Sequence, residues 1–257
     1  MNVLILGGCG SMGPHVVSAL EGRHRLLVTD VAEAPEGMRH EYRRLDAGDS
    51  EGVMTAAAGM DAIVNLSVSR SDRRTAFEVN VSGNYNLTRA ANAHGIRRIV
   101  NTGPYYQVSG PQSDEWDHLL SPDDPPQPGT RLYAFTKALG QEILRVWCSH
   151  HDVFVQTLLF YLMRDAAPTA KPPTDPNDPG APGMDMVPFT VAWPDTGTAV
   201  RAALEVELAK LPSRCETYFV SARLPHGKYR NDKIERVLGW RAQYALEYLW
   251  QRVEPET

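Results

Sequence analysis

Short apolar runs alternate with stretches of helical period through the first 160 residues. Val3-Leu4-Ile5-Leu6 leads straight into glycines, and a β-rich run bounded in this way predicts a buried strand. Val16, Val17 and Leu20 then fall at helical spacing within 14–21. Arg25–Asp30 predicts a second strand, Tyr42–Leu45 a third, and the Ala-rich stretch 49–58 a helix. Ala62–Leu66 predicts the fourth strand, Ala76–His94 one long amphipathic helix, and Arg98–Asn101 the fifth strand. Elements taking turns at this spacing call for βαβ units with right-handed crossovers. The expected class is therefore α/β, doubly wound around a mostly parallel sheet.

The texture changes after residue 103. Residues 104–129 hold six prolines and 168–188 hold seven, with a helix near 131–149 and the apolar strand Val153–Leu159 between them. Both proline-rich stretches follow predicted strands. They leave the carboxyl edge of the sheet, where open α/β folds bind ligands, and loops this long predict lids or binding loops.

Composition narrows the function classes. The chain has 257 residues, 42% hydrophobic and 22% charged, with a net charge of −5. That supports a sizeable core and excludes general disorder, and the mildly acidic balance argues against nucleic-acid and anionic-membrane partners. No apolar run approaches the ~18 residues of a membrane helix. The opening residues lack a basic segment and read as a strand, not a leader. Cys9, Cys148 and Cys215 are odd in number and have no CxxC spacing. They predict reduced thiols, a cytoplasmic protein, no disulfide framework and no metal site.

Leu6-Gly7-Gly8-Cys9-Gly10-Ser11-Met12-Gly13 fits GxGxxG through Gly8, Gly10 and Gly13, or GxxGxxG through Gly7, Gly10 and Gly13. In either reading the glycines allow a tight turn and a close backbone approach, and the helix that follows offers free N–H groups to a pyrophosphate. The motif sits directly after the first strand and opens a helix, the context that gives it weight. Asp30 ends the second strand, where a carboxylate accepts hydrogen bonds from adenosine ribose hydroxyls. It repels a 2′-phosphate, which favours NAD over NADP. Asp46, after the third strand, is a candidate for the adenine amino group, although Asp46-Ala47-Gly48-Asp49 is also turn and N-cap chemistry.

Tyr133-Ala134-Phe135-Thr136-Lys137 places a phenol and an ammonium on one helix face. A nearby cation favours phenolate, so the pair suits proton transfer during hydride transfer to or from a nicotinamide. The same spacing recurs at Tyr229 and Lys233, in what reads as an ordinary surface helix. His15 is read as packing or capping, and His150-His151 as closing a helix. Asp123-Asp124 offers no metal geometry, and the five tryptophans are too scattered for a stacking platform.

Together these residues resemble the extended short-chain dehydrogenase/reductase family, the NAD-dependent epimerase/dehydratase group. Gly7, Gly10 and Gly13 match its glycine motif. Asp61-Ala62-Ile63-Val64-Asn65-Leu66 looks like its fourth strand, Asn80–Leu87 like its NVxGTxNL helix, and Leu238-Gly239-Trp240 like its terminal LGW. The resemblance implies a Rossmann-type core over 1–160, with a small C-terminal substrate lobe over 161–257 interleaved with the last core elements. It implies NAD against Gly7, Gly10, Ser11, Met12, Gly13, Asp30, Asp46, Ala47, Leu66, Asn80 and Lys137. Tyr133, Lys137 and Thr102 are then the catalytic group, and a homodimer pairing the helices near 76–94 and 131–149 is implied as well.

The family's serine or threonine after the fifth strand aligns near Gly103 or Pro104 here. Thr102, Tyr105 or Tyr106 is left to supply the hydroxyl. With 120 residues after Lys137, a small sugar or sugar acid is the expected substrate, as in the uronate dehydrogenases. Ser69, Tyr105, Tyr106 and Arg164 are the candidate contacts. Arg70, Arg73 and Arg74 read as solvated or phosphate-facing charges. An epimerase or dehydratase that recycles its cofactor is the close alternative, and an NAD(H)-binding sensor without turnover the distant one.

Overall fold

The computed structural model describes residues 1–109, 120–167, 189–225 and 227–249. The first six strands are β1 (Asn2–Leu6), β2 (Arg25–Asp30), β3 (Glu41–Arg44), β4 (Ala62–Asn65), β5 (Arg98–Pro104) and β6 (Phe154–Phe160). With β9 (Cys215–Phe219) they form a seven-stranded sheet in the order β3-β2-β1-β4-β5-β6-β9. Every pairing is parallel. The order reverses between β1 and β4, so a crevice opens beyond their carboxyl ends, where such sheets bind ligands.

Strand side chains alternate between two buried layers. Val3 and Ile5 pack with Val16 and Leu20 of α1 (Gly13–Leu20) and Val200 of α7 (Trp193–Glu205). Leu4 and Leu6 face the other way, onto Val53 of α2 (Ser50–Ala56), Leu87 of α4 (Gly83–Ala93) and Leu144 of α6 (Leu132–His150). Burial on both faces explains the unbroken apolar runs. Each such side chain contributes about 1.5–3 kcal/mol by burial.

The helix expected at 76–94 is interrupted. α3 (Arg73–Phe77) passes into a π-helical turn, Glu78–Ser82, and then into α4. The Asp72 carboxylate caps α3 by accepting from the Thr75 N–H at 3.0 Å. At the π turn the Asn80 carbonyl accepts from the Asn84 side chain at 2.7 Å. Helix α6 rests on that turn at Gly140, where a Cβ would lie 2.2 Å from the Asn80 oxygen. A wide turn and a missing side chain thus set the depth at which α6 docks.

After residue 160, β9 and α7 complete the central layers, while β7 (Leu162–Arg164) pairs with β8 (Thr190–Ala192) in a separate parallel sheet. The proline-rich stretches expected as lids lie partly or wholly outside the described residues, as do Trp116 and Trp250. His15 stacks on Trp193 and His151 on Trp147. Cys148 and Cys215, far apart in sequence, pack together as free thiols.

The second tyrosine–lysine spacing does not form a surface helix. Tyr229 precedes α8 (Asp232–Leu238) and is buried among Tyr105, Phe189 and Phe219. Lys233 is buried too, paired with Glu216 at 2.8 Å and with Asp123. Its ammonium neutralises a carboxylate that β9 carries into the interior. No helix among the described residues is long and apolar enough to cross a membrane, and among them no cluster could hold a metal ion.

Candidate active site

The turn after β1 owes its glycines to two different causes. Gly7 has φ +75°, and a Cβ there would lie 2.6 Å from the Ser67 nitrogen at the end of β4. At Gly13 a Cβ would lie 1.8 Å from the Gly8 carbonyl oxygen. Both are therefore required by the protein itself. Gly10 is different, because a Cβ would meet only the Gly7 oxygen at 3.5 Å, an ordinary contact. Gly10 faces the cavity described below, so its bare backbone leaves room for something other than protein. The N–H groups of Ser11 and Met12, at the start of α1, donate to no described residue. Open amides at a helix N-terminus suit a phosphate.

Asp30 is fixed beside this turn. Its carboxylate accepts from the Cys9 N–H at 2.9 Å and the Ala32 N–H at 3.1 Å. Burial and the Asp30 charge push the Cys9 thiol up, which keeps it protonated. Asp46 is exposed, and its carboxylate accepts from the Gly48 N–H at 2.8 Å. Ala47 is buried and gives its carbonyl to the Asn86 side chain.

The crevice has a volume of ≈ 560 Å³. Gly7, Gly10, Ser11, Met12 and Leu66 line one end, and Thr102, Tyr106, Tyr133 and Lys137 the other. Phe160, Tyr161, Leu162, Met163 and Trp193 complete the wall. Lys137 is 4% exposed, and its Nζ donates to the Ser67 carbonyl at 3.3 Å. Burial, reinforced by the Arg70 charge, lowers its pKa to about 8. Tyr133, one turn earlier on α6, is half-buried.

Of the remaining candidates, Ser69, Asn80, Tyr105 and Arg164 do not line that wall. Thr102 lines it, but its hydroxyl donates to the Asn65 carbonyl at 2.9 Å. The Asn80 amide bonds both backbone groups of Ser69 and the Thr136 hydroxyl. The Ser69 hydroxyl meets that of Ser71 at 3.0 Å. Tyr105 is buried in the aromatic cluster, stacked on Phe189 with ring centroids 4.8 Å apart. Arg164 ends β7 beside Tyr248, while its strand neighbours Leu162 and Met163 face the cavity.

Arg70, expected from the sequence to be a solvated or phosphate-facing charge rather than a substrate clamp, reaches the phenol. Its Nη2 donates to the Tyr133 hydroxyl at 3.4 Å, and the guanidinium lies 4.5 Å from the ring centroid. The available signal was its position just beyond β4, beside the strand-order reversal. A buried chain of amides also escaped sequence reading. Asn65 bonds Asn84 at 3.3 Å and Asn101 at 3.1 Å, and accepts from the Ser67 hydroxyl at 2.6 Å. These bonds hold the carboxyl ends of β4 and β5 against α4, and so hold the carbonyl that receives Lys137.

A sequence model of the NAD-dependent epimerase/dehydratase family matches residues 3–162. The chain is 30% identical over 158 residues to a 3-beta-hydroxysteroid dehydrogenase of Mycolicibacterium neoaurum, covering 55% of this chain and 42% of that protein. It is 26% identical over 168 residues to an L-arabinose 1-dehydrogenase (NAD(P)(+)) of Haloferax volcanii, covering 61% and 65%. It thus spans less than two thirds of the length of either relative. Among solved structures, uronate dehydrogenase from Agrobacterium tumefaciens superposes with a TM-score of 0.70 at 24% identity, over 94% of this chain and 84% of that one. With more than half of its length matched by the family's sequence pattern, the chain belongs to the NAD-dependent epimerase/dehydratase family.

Proposed function

We propose that the protein is an NAD-dependent oxidoreductase acting on a hydroxyl of a small sugar or sugar acid. One observation carries this reading. The glycine turn and the Tyr133–Lys137 pair, more than 120 residues apart in sequence, line the same cavity. Its ≈ 560 Å³ falls within the usual range for small-ligand sites, about 300–1,000 Å³. Part of that space would take the nicotinamide end of a dinucleotide, and what remains suits a small substrate. The relatives named for L-arabinose and for uronate support the same class.

The residues present fit a dinucleotide. The open backbone at Gly10 and the unpaired Ser11 and Met12 amides would hold its pyrophosphate. Asp30 would take the adenosine ribose, with Asp46 and Ala47 beside the adenine, and Lys137 the nicotinamide ribose. Bound there, the dinucleotide supplies the acceptor for the electron pair that leaves the substrate carbon. Tyr133 takes the hydroxyl proton, and Lys137 favours the phenolate that receives it. We assign the β7–β8 sheet and the segments around it to the substrate lobe.

Phe77, Tyr85, Phe135 and Val146 expose apolar surface on α3, α4 and α6, and this face supports a homodimer. Free thiols suit a reducing cytoplasm.

The test is NADH formation, followed by absorbance, with NAD and a panel of uronic acids and aldoses. Tyr133→Phe is expected to lower kcat by about 10²–10⁴-fold while NAD affinity is preserved. Interconversion of epimers without net NADH would favour the epimerase, and wild-type activity in Tyr133→Phe would refute the assignment.

A further inference from the structure

Oxidising a hydroxyl-bearing carbon needs more than a proton acceptor. A donor must also steady the oxygen as its charge changes, and losing such a donor typically costs about 10²–10³ in kcat. The end of β5 does not provide one. Gly103 and Pro104 have no hydroxyl, and the Thr102 proton is given to the Asn65 carbonyl. Lys137 Nζ is directed to the Ser67 carbonyl. Arg70 remains, with Nη2 3.4 Å from the Tyr133 oxygen and its guanidinium held against the ring face. A substrate oxygen that exchanges its proton with Tyr133 must sit beside that oxygen, within reach of the same guanidinium.

We propose that Arg70 is a catalytic residue of this site, holding the Tyr133 phenol and donating a hydrogen bond to the reacting substrate oxygen. The inference rests on the oxidoreductase reading above. A guanidinium suits the task because it stays charged and offers several donors in one plane, so it serves both oxygens at once. Its position in the loop after β4 is fixed in turn by Asn80, which bonds both backbone groups of Ser69. Tyr106 is the rival donor, since burial, with Tyr133 beside it, pushes its phenol up and keeps it protonated. Its ring stands edge-on to Tyr133, with centroids 6.1 Å apart.

The experiment compares Arg70→Ala, Arg70→Lys and Tyr106→Phe in the full chain, with NAD and whichever panel substrate turns over. Arg70→Ala is expected to lose about 10²–10³-fold in kcat with little change in KM. Millimolar guanidinium should restore part of the loss, Arg70→Lys should fall between, and NADH affinity by fluorescence should be unchanged. Wild-type kcat in Arg70→Ala, a loss confined to KM for uronic acids, or a loss found in Tyr106→Phe instead would each overturn the proposal. A second arm needs no turnover. In protein labelled at the hydroxyl-bearing ring carbon of tyrosine, the Tyr133 resonance, assigned by its absence in Tyr133→Phe, should move in Arg70→Ala and not in Arg73→Ala. An unmoved resonance overturns the contact, whereas a silent wild-type enzyme with a moved resonance refutes the oxidoreductase reading alone.

Discussion

Replacing Lys137 by methionine removes an ammonium that the fold buries without a carboxylate partner. Its pKa falls from the ordinary 10.5 to about 8, first through burial and then through the Arg70 charge. At 1.36 kcal/mol for each tenfold change in proton affinity, the charge costs the protein on the order of 3 kcal/mol at neutral pH. The unfolded chain binds the proton more tightly than the folded one between pH 8 and 10.5. Wild-type stability therefore gains as pH rises through that window, and the penalty is fully present below it. Lys137→Met has no such dependence. It also leaves the Ser67 carbonyl without its donor, a loss of about 1 kcal/mol that does not vary with pH. Urea unfolding of both proteins without cofactor, at pH 7.5 and 9.5, isolates the ionisation. The wild type should gain about 2 kcal/mol on the variant between those pH values, while the variant has no activity at either. A stability difference that stays constant across the window would refute the buried, unpaired ammonium.

Two further substitutions separate packing from binding. Gly140→Ala places a methyl 2.2 Å from the Asn80 oxygen, which should cost about 1–3 kcal/mol in urea unfolding and lower kcat by displacing α6. Gly10→Ala meets only ordinary contacts within the protein, so its stability should stay within about 0.5 kcal/mol. Its NAD affinity by calorimetry should fall at least about tenfold, as expected where backbone approaches a pyrophosphate.

The strands β1, β2 and β4 were legible because burial on both faces writes them as apolar runs. β5 runs three residues past the Arg98–Asn101 that the sequence predicts. Gly103 and Pro104 carry no strand signal, yet they pair with Leu159 and Phe160, and that pairing overrides local propensity. The π turn was invisible because Asn80–Leu87 keeps a helical pattern whether or not one turn is widened. α7 and β9 each bury an acid that helps to disguise them. Asp195 accepts from the Gln243 and Tyr244 N–H groups, and Glu216 pairs with Lys233. At the site, the glycine turn and the Tyr133–Lys137 pair were legible from spacing and position. Arg70 was not, because its reach depends on how the loop after β4 is tied to Asn80.

The account stands on the nicotinamide ring and the Tyr133 phenol sharing one chamber, and a crystal structure of the chain grown with NAD tests that directly. It should show the pyrophosphate on the Ser11 and Met12 amides and the ring between Tyr133 and the end of β5, with Lys137 on the adjoining ribose. A dinucleotide bound elsewhere, or a ring turned away from Tyr133, would contradict it.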